Sequence, residues 1–197
     1  MVREHNYIHN IEEPAPTLSM NPLKFALWLF IITIIMIFAA LTSAYIVRAA
    51  DGGWLEFKLP DGLLVNTIIL LTSSATMHWG YLAAKKNNLG QVKIAVLLTT
   101  ILGIVFLVGQ ILVKQEVELG GIGFTSNPSV SFLYVLAGVH GFHLITGVIF
   151  LITVLISSFK YKVHSKNLTK IEMCTTYWHF LDGLWIYLFV FLSFYNG

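Results

Sequence analysis

Five long apolar runs divide the chain, at about 24–47, 63–84, 92–113, 129–158 and 172–195. Each is near or above the ~20 residues that a hydrocarbon core of ~30 Å requires. None alternates apolar and polar positions with a period of two, so the pattern predicts helices and excludes the strands of a barrel. The fourth run is the longest and is expected to tilt or project. Between the runs stand turn-forming residues: Gly52, Gly53 and Pro60 to Gly62, then Lys85 to Asn88 with Gly90, then Gly120 and Gly121 through Pro128, then Lys160 to Lys170. Residues 1–23 are polar, with Pro14, Pro16 and Pro22. They read as an arm, either unstructured or strapped to a partner chain, and Pro22 suits the first position of a helix. The expected fold class is all-α integral membrane: one domain over 24–197, with five transmembrane helices.

Composition agrees. Of 197 residues 56% are hydrophobic and 11% charged, and mean hydropathy is +0.76, too apolar for a soluble domain. The net charge of +2 implies no strong electrostatic partner, and nucleic acid is not expected. One cysteine, Cys174, excludes intrachain disulfides, thiolate zinc sites and Cys-ligated iron–sulfur clusters, and reads as a small buried apolar residue. The polar start and full-length first run argue against a cleaved leader, so the first helix is expected to be its own insertion signal.

Charge sets the expected orientation. Arg3, Lys24, Lys85, Lys86, Lys93, Lys160, Lys162, Lys166 and Lys170 fall on one side of a five-span layout, and Arg48, Lys58 and Lys114 on the other. Nine against three places the N-terminus inside and the C-terminus outside. Trp28, Trp54 and Trp79 read as interfacial aromatics, and Gln110 as an interface residue near the outer end of the third run. Small residues recur at helix-packing spacing, in Ala40 with Ala44, Ala39 with Ser43, Thr72 with Thr76 and Ala137 with Gly141, which marks a bundle without specifying chemistry.

Chemistry concentrates in the last two runs. His140 and His143 are three apart in the fourth, as are His179 and Asp182 in the fifth; Trp178 and Trp185 are seven apart, on the same broad face as His179 and Asp182. Asp182 falls near mid-depth, where an ionised carboxylate costs roughly 2.5–3.5 kcal/mol on insertion scales unless it is paired or faces protein. Three readings follow from the residues alone. The carboxylate and imidazoles satisfy one another and fix the register of the last two helices, so that Asp182→Leu loosens that pair. Alternatively they relay protons. Or they ligate a metal, or a single haem between His140 or His143 and His179. Against ligation, no third ligand-bearing run stands out; His78 lies beside Trp79, near the inner interface. The absence of an internal repeat and of a helix broken at mid-depth disfavours a small transporter.

The same two stretches carry a family resemblance. Gly138-x-His140-Gly141-x-His143-x-x-x-Gly147-x-x-Phe150-Leu151 resembles the signature of subunit III of haem–copper terminal oxidases. So does Glu172 followed by Tyr177-Trp178-His179-Phe180-Leu181-Asp182 and Trp185. Asn66 and Thr67 through the Ser/Thr cluster to Trp79, and Leu29 to Thr33, extend the resemblance over roughly 24–197. Five spans match the short bacterial form, without the two extra N-terminal helices of the mitochondrial type.

The resemblance implies a non-catalytic subunit of a cytochrome c or quinol oxidase, in an aerobic respiratory chain that reduces oxygen to water and builds a proton gradient. It implies no catalytic, metal or cofactor residue in this chain, with haem and copper in partner subunits. It implies packing beside catalytic subunit I and other oxidase subunits, bound phospholipids, support of proton uptake and a bacterial plasma-membrane location, and leaves membership of a respiratory supercomplex open. It assigns His140, His143, Glu172, Trp178, His179, Asp182 and Trp185 to a structural or lipid-cleft network. Glu172, by its position near the inner interface, is expected to pair with Lys170 or a partner chain. Two departures stand out. Ile34 follows Thr33 where many members carry a glutamate, and Gly80 and Tyr81 follow Trp79 where the family often shows Trp-x-His. Any role of those two groups does not carry over. An independent metal-dependent membrane enzyme and a small transporter remain the alternatives.

Overall fold

The structure, a computed structural model, describes residues 21–50, 52, 60, 62–119, 127–159 and 168–196. The arm over 1–20, Trp54, Lys58, and the connector lysines Lys160, Lys162 and Lys166 lie outside the described residues. Five helices follow one another: α1 (Pro22–Ala50), α2 (Gly62–Lys85), α3 (Leu89–Leu119), α4 (Pro128–Phe159) and α5 (Thr169–Asn196). At 24 to 32 residues and 1.5 Å per residue they measure about 36–48 Å. Four of them are long and apolar enough to cross a membrane; α2 is not among the four. Its apolar character is diluted by Asn66, Thr67, Ser73, Ser74, Thr76 and His78, several of which turn out to be the bundle's internal donors and acceptors.

Local chemistry sets the helix ends. Asn21 and Asn127 each precede a proline, and their side-chain oxygens accept from Leu23 N and Ser129 N at 3.0 Å. Both are N-caps, with a proline where a backbone N–H has no helical partner. α2 stops in a Schellman turn. Asn87 adopts φ 56°, Asn88 N–H donates to Ala83 O at 3.0 Å and Asn87 N–H to Ala84 O at 3.1 Å. Asn88 then caps α3 through Gln91 N at 3.3 Å. The tight turn is therefore made by two asparagines, while Gly90 lies inside the first turn of α3.

α2, α3, α4 and α5 form a ring in that order, with α2 and α3 the most extensively paired. α1 sits outside the ring and, among the described residues, touches only α4 and α5. Helix directions alternate. At one end Lys24 pairs with Glu172 at 2.9 Å, and Lys93 Nζ lies 5.2 Å from the Phe159 ring; this is called the lysine end. At the far end Tyr45 packs edge-on against Phe132, Phe191 and Tyr195, at 5.1–5.7 Å. The core runs along the ring's axis, with Trp178, Phe106, Leu136, Leu144 and Leu181 fully buried. Ile34 is also fully buried. Cys174 is buried and free.

Candidate functional site: the polar seam of α5

α5 turns its tryptophans, His179 and Asp182 toward α2. Trp178 is fully buried and its indole N–H donates to Ser73 Oγ at 3.1 Å; one face-repeat later Trp185 N–H donates to Thr67 Oγ1 at 3.0 Å. Between them His179 Nδ1 meets Ser74 Oγ at 2.6 Å. The two helices run antiparallel, so the spacing of Thr67 and Ser73–Ser74 on α2 answers the seven-residue spacing of the tryptophans on α5. Trp178 fits because α3 and α4 present glycines to it. A Cβ on Gly103 would lie 2.7 Å from Trp178 Cη2, and one on Gly147 would lie 3.3 Å from its Cε3 and 2.9 Å from Leu181. No other residue type leaves that room.

The histidines of α4 face elsewhere. His140, 1% exposed, is ringed by Phe38 of α1 at 6.5 Å, Phe106 of α3 at 6.3 Å and Trp185 of α5 at 5.1 Å. Neither of its nitrogens has a hydrogen-bond partner. His143 Nδ1–H donates to Val139 O at 2.8 Å, within its own helix, and its ring packs against Phe30 and Phe38 of α1. α4 and α5 are instead joined through Thr146 Oγ1 and Tyr177 Oη at 2.8 Å, with Tyr177 Oη also donating to His143 O at 3.3 Å.

This corrects the expected network. Asp182 is 3% exposed, and among the described residues neither carboxyl oxygen has a hydrogen-bond partner, from a histidine of α4 or elsewhere. Hydrogen bonding by the last helix therefore fixes mainly α2 to α5, and aromatic packing places His140 and His143 against α1. The reason is rotational: the face of α5 that carries Trp178, Asp182 and Trp185 looks at α2, so its polar groups pass by those of α4. Glu172 is corrected too. It pairs with Lys24 across α1 and α5, not with Lys170. Among the described residues no three of His, Cys, Asp and Glu are grouped to hold a metal ion.

Thr67, Ser73, Ser74 and Gly147 entered the sequence analysis only as part of the resemblance, and no packing role was assigned to them or to Gly103. The signal was present in the diluted hydropathy of the second run and in the matching intervals on the two helices. Gln110 is half-buried and lines an apolar hollow at the far end with Leu63, Val113 and Leu133. Trp28 and Trp79 are exposed, as interfacial aromatics are.

Comparison with known proteins identifies the pattern. A sequence model of the family described as cytochrome c oxidase subunit III matches residues 55–197. Cytochrome c oxidase subunit 3 of Synechocystis sp. is 34% identical over 175 residues, 84% of this chain and 72% of that protein. The protein of the same name from Corynebacterium diphtheriae is 32% identical, over 81% of this chain and 82% of its own length. The cytochrome bo(3) ubiquinol oxidase subunit 3 of Pseudomonas aeruginosa is 31% identical, over 84% of this chain and 81% of its own length. The chain whose α4 and α5 carry the His-x-x-His and Trp-His-x-x-Asp stretches thus belongs to the cytochrome c oxidase subunit III family.

Proposed function

We propose that this chain is the scaffold of an aerobic haem–copper terminal oxidase: it spans the bacterial plasma membrane five times, braces the catalytic subunit, binds phospholipids and supports proton uptake. Family membership makes it a multi-pass membrane protein and a non-catalytic oxidase subunit. The observation that carries the scaffold reading is how its polar side chains are used. The indoles and hydroxyls in the bundle join helix to helix, and its histidines are spread over separate aromatic and seam environments. Five spans are supported by the length of α2 and by its position in the ring, flanked by α3 and α5. An inside N-terminus is supported by the lysine bias. Docking through α1 is supported by its position outside the ring, where Ala39, Ala40, Ser43 and Ala44 are exposed and leave room for a partner helix.

Deleting the chain is the test. The remaining complex should keep its haem spectrum and initial turnover but lose activity faster during catalysis. Loss of haem from an otherwise assembled complex, or an unchanged catalytic lifetime, would contradict the scaffold role.

A further inference from the structure

We infer that the hollow between α2, α3 and α4 at the far end of the bundle binds one glycerophospholipid whose headgroup carries a primary ammonium. The phosphate meets Lys114, an ester carbonyl accepts from Gln110, and an acyl chain follows Ala137 and Gly141 toward mid-depth. This deepens the lipid-binding part of the proposed function by naming a place and a headgroup; the scaffold role does not rest on it.

The hollow is open and offers about 350 Å³, at the small end of ligand clefts, which run to roughly 300–1,000 Å³. Its walls are apolar: Leu63 of α2, Val113 and Val117 of α3, and Leu133 and Ala137 of α4. Gln110 lines it as well, and among the described residues its buried Nε2 has no hydrogen-bond partner. A buried amide donor without an acceptor has lost its hydration and gained nothing in exchange. An occupant with an oxygen at that level removes the cost, and a bare hydrocarbon does not. Asn66 of α2 lies directly over the neighbouring Gly109, so α2 and α3 are in close contact beside Gln110.

The order of the groups along the membrane normal is that of a phospholipid. The apolar run of α3 ends at Val113, so Lys114 stands at the hydrocarbon boundary. Gln110 is four residues deeper, or about 6 Å. The polar layer on each side of a bilayer is about 5–7 Å thick. A phosphate drawn to Lys114 therefore brings its ester carbonyls to the level of Gln110. Deeper still, Ala137 and Gly141 share one face of α4, and a Cβ built on Gly141 would meet nothing within 4 Å. That face leaves an open apolar track for methylenes.

Charge at the mouth selects the headgroup. Lys114 Nζ is 5.6 Å from the Tyr134 ring centroid and 3.6 Å from Glu118 Oε1, and both charged side chains are about half exposed. Glu116 reaches toward the start of α2, where its Oε2 lies 3.9 Å from a Cβ built on Gly62. Among the described residues, then, one lysine stands with two carboxylates. A headgroup of net negative charge would gain one attraction and meet two repulsions. A phosphate carried with an ammonium satisfies both signs: the phosphate takes Lys114 and the ammonium takes Glu118. A primary ammonium also donates hydrogen bonds to a carboxylate, which a quaternary one cannot.

Photo-crosslinking of the intact oxidase in bilayers tests this. The probe is phosphatidylethanolamine with a diazirine on one acyl chain near the glycerol, and labelled positions are read by peptide mass spectrometry. Labelling should centre on residues 113–117 and 133–137. Ala137→Phe fills the hollow without removing a polar group and should cut that labelling by on the order of tenfold. Gln110→Leu and Lys114→Met should each cut it about fivefold, as the loss of one hydrogen bond or one half-exposed ion pair does. The same probe built on phosphatidylglycerol should label the hollow about fivefold less. Labelling that avoids the hollow, as where a protein segment fills it, or that is unchanged in Gln110→Leu and Lys114→Met, would overturn the site. Equal labelling by phosphatidylglycerol would overturn the headgroup. Labelling on other faces alone would overturn the site and leave general lipid binding standing. Haem content and co-purification of the oxidase subunits in the same variants report separately on the scaffold role.

Discussion

Gly103 and Gly147 show most directly what single residues do in this bundle. Each leaves space for the Trp178 ring, and a side chain at either would meet an indole held by Ser73. Gly103→Val or Gly147→Val is expected to destabilise the subunit by about 1–3 kcal/mol, as overpacking of a filled core does. The check is the thermal midpoint of the purified complex; an unchanged midpoint would mean that the ring moves aside freely. These glycines were hard to see in the sequence because an isolated glycine in an apolar helix has no pattern. Trp178, a large residue with a polar tip amid polar neighbours, was legible at once. His140 and Asp182 were legible as buried polar residues, but their partners were not, since partnership depends on how far each helix is rotated about its axis.

At the scale of elements, the α2–α5 seam sets its own expectations. Trp185→Phe removes the bond to Thr67 and should cost about 0.6 kcal/mol, the usual worth of an interhelical hydrogen bond in a membrane. Asp182→Leu should leave stability unchanged or raise it, because no partner is lost and a buried polar group goes. Both are read from unfolding of the complex in graded denaturing detergent, and a large loss in Asp182→Leu would restore the idea of a paired carboxylate. The Lys24–Glu172 pair joins α1 to α5 at a half-exposed position, where such pairs contribute only about 0–1 kcal/mol. Exchanging the two charges, Lys24→Glu with Glu172→Lys, should therefore preserve assembly, and loss of the subunit on exchange would assign Glu172 a different partner. The existence and order of all five helices were legible from apolar run length. Their ends were less so: α3 continues to Leu119, six residues past its apolar run, because Lys114 and Glu118 pair at 3.6 Å across one turn. Hydropathy reads the membrane, while a helix ends where its caps and local pairs end.

At the scale of the molecule, a four-helix ring with one peripheral helix is a body with a sealed interior and an apolar exterior. Large exposed hydrophobic residues cover α1, α2 and α3, suited to lipid and to other membrane chains. The family was legible in the sequence because its motifs combine residue types that are costly at mid-depth and so stand out in an apolar run; how they pair needed the fold. The central claim is that this chain's polar groups serve its own packing, chiefly through Trp178, His179 and Trp185 at the α2–α5 seam, and that redox chemistry belongs to other subunits. Native purification through a tag on this chain, followed by haem spectra, metal analysis and oxygen consumption for the complex and then for the separated chain, tests it most directly. The account predicts haem, copper and oxygen reduction in the complex and none in the chain alone; a stoichiometric haem or metal on the separated chain, or oxygen consumed by it with a reductant, would contradict it.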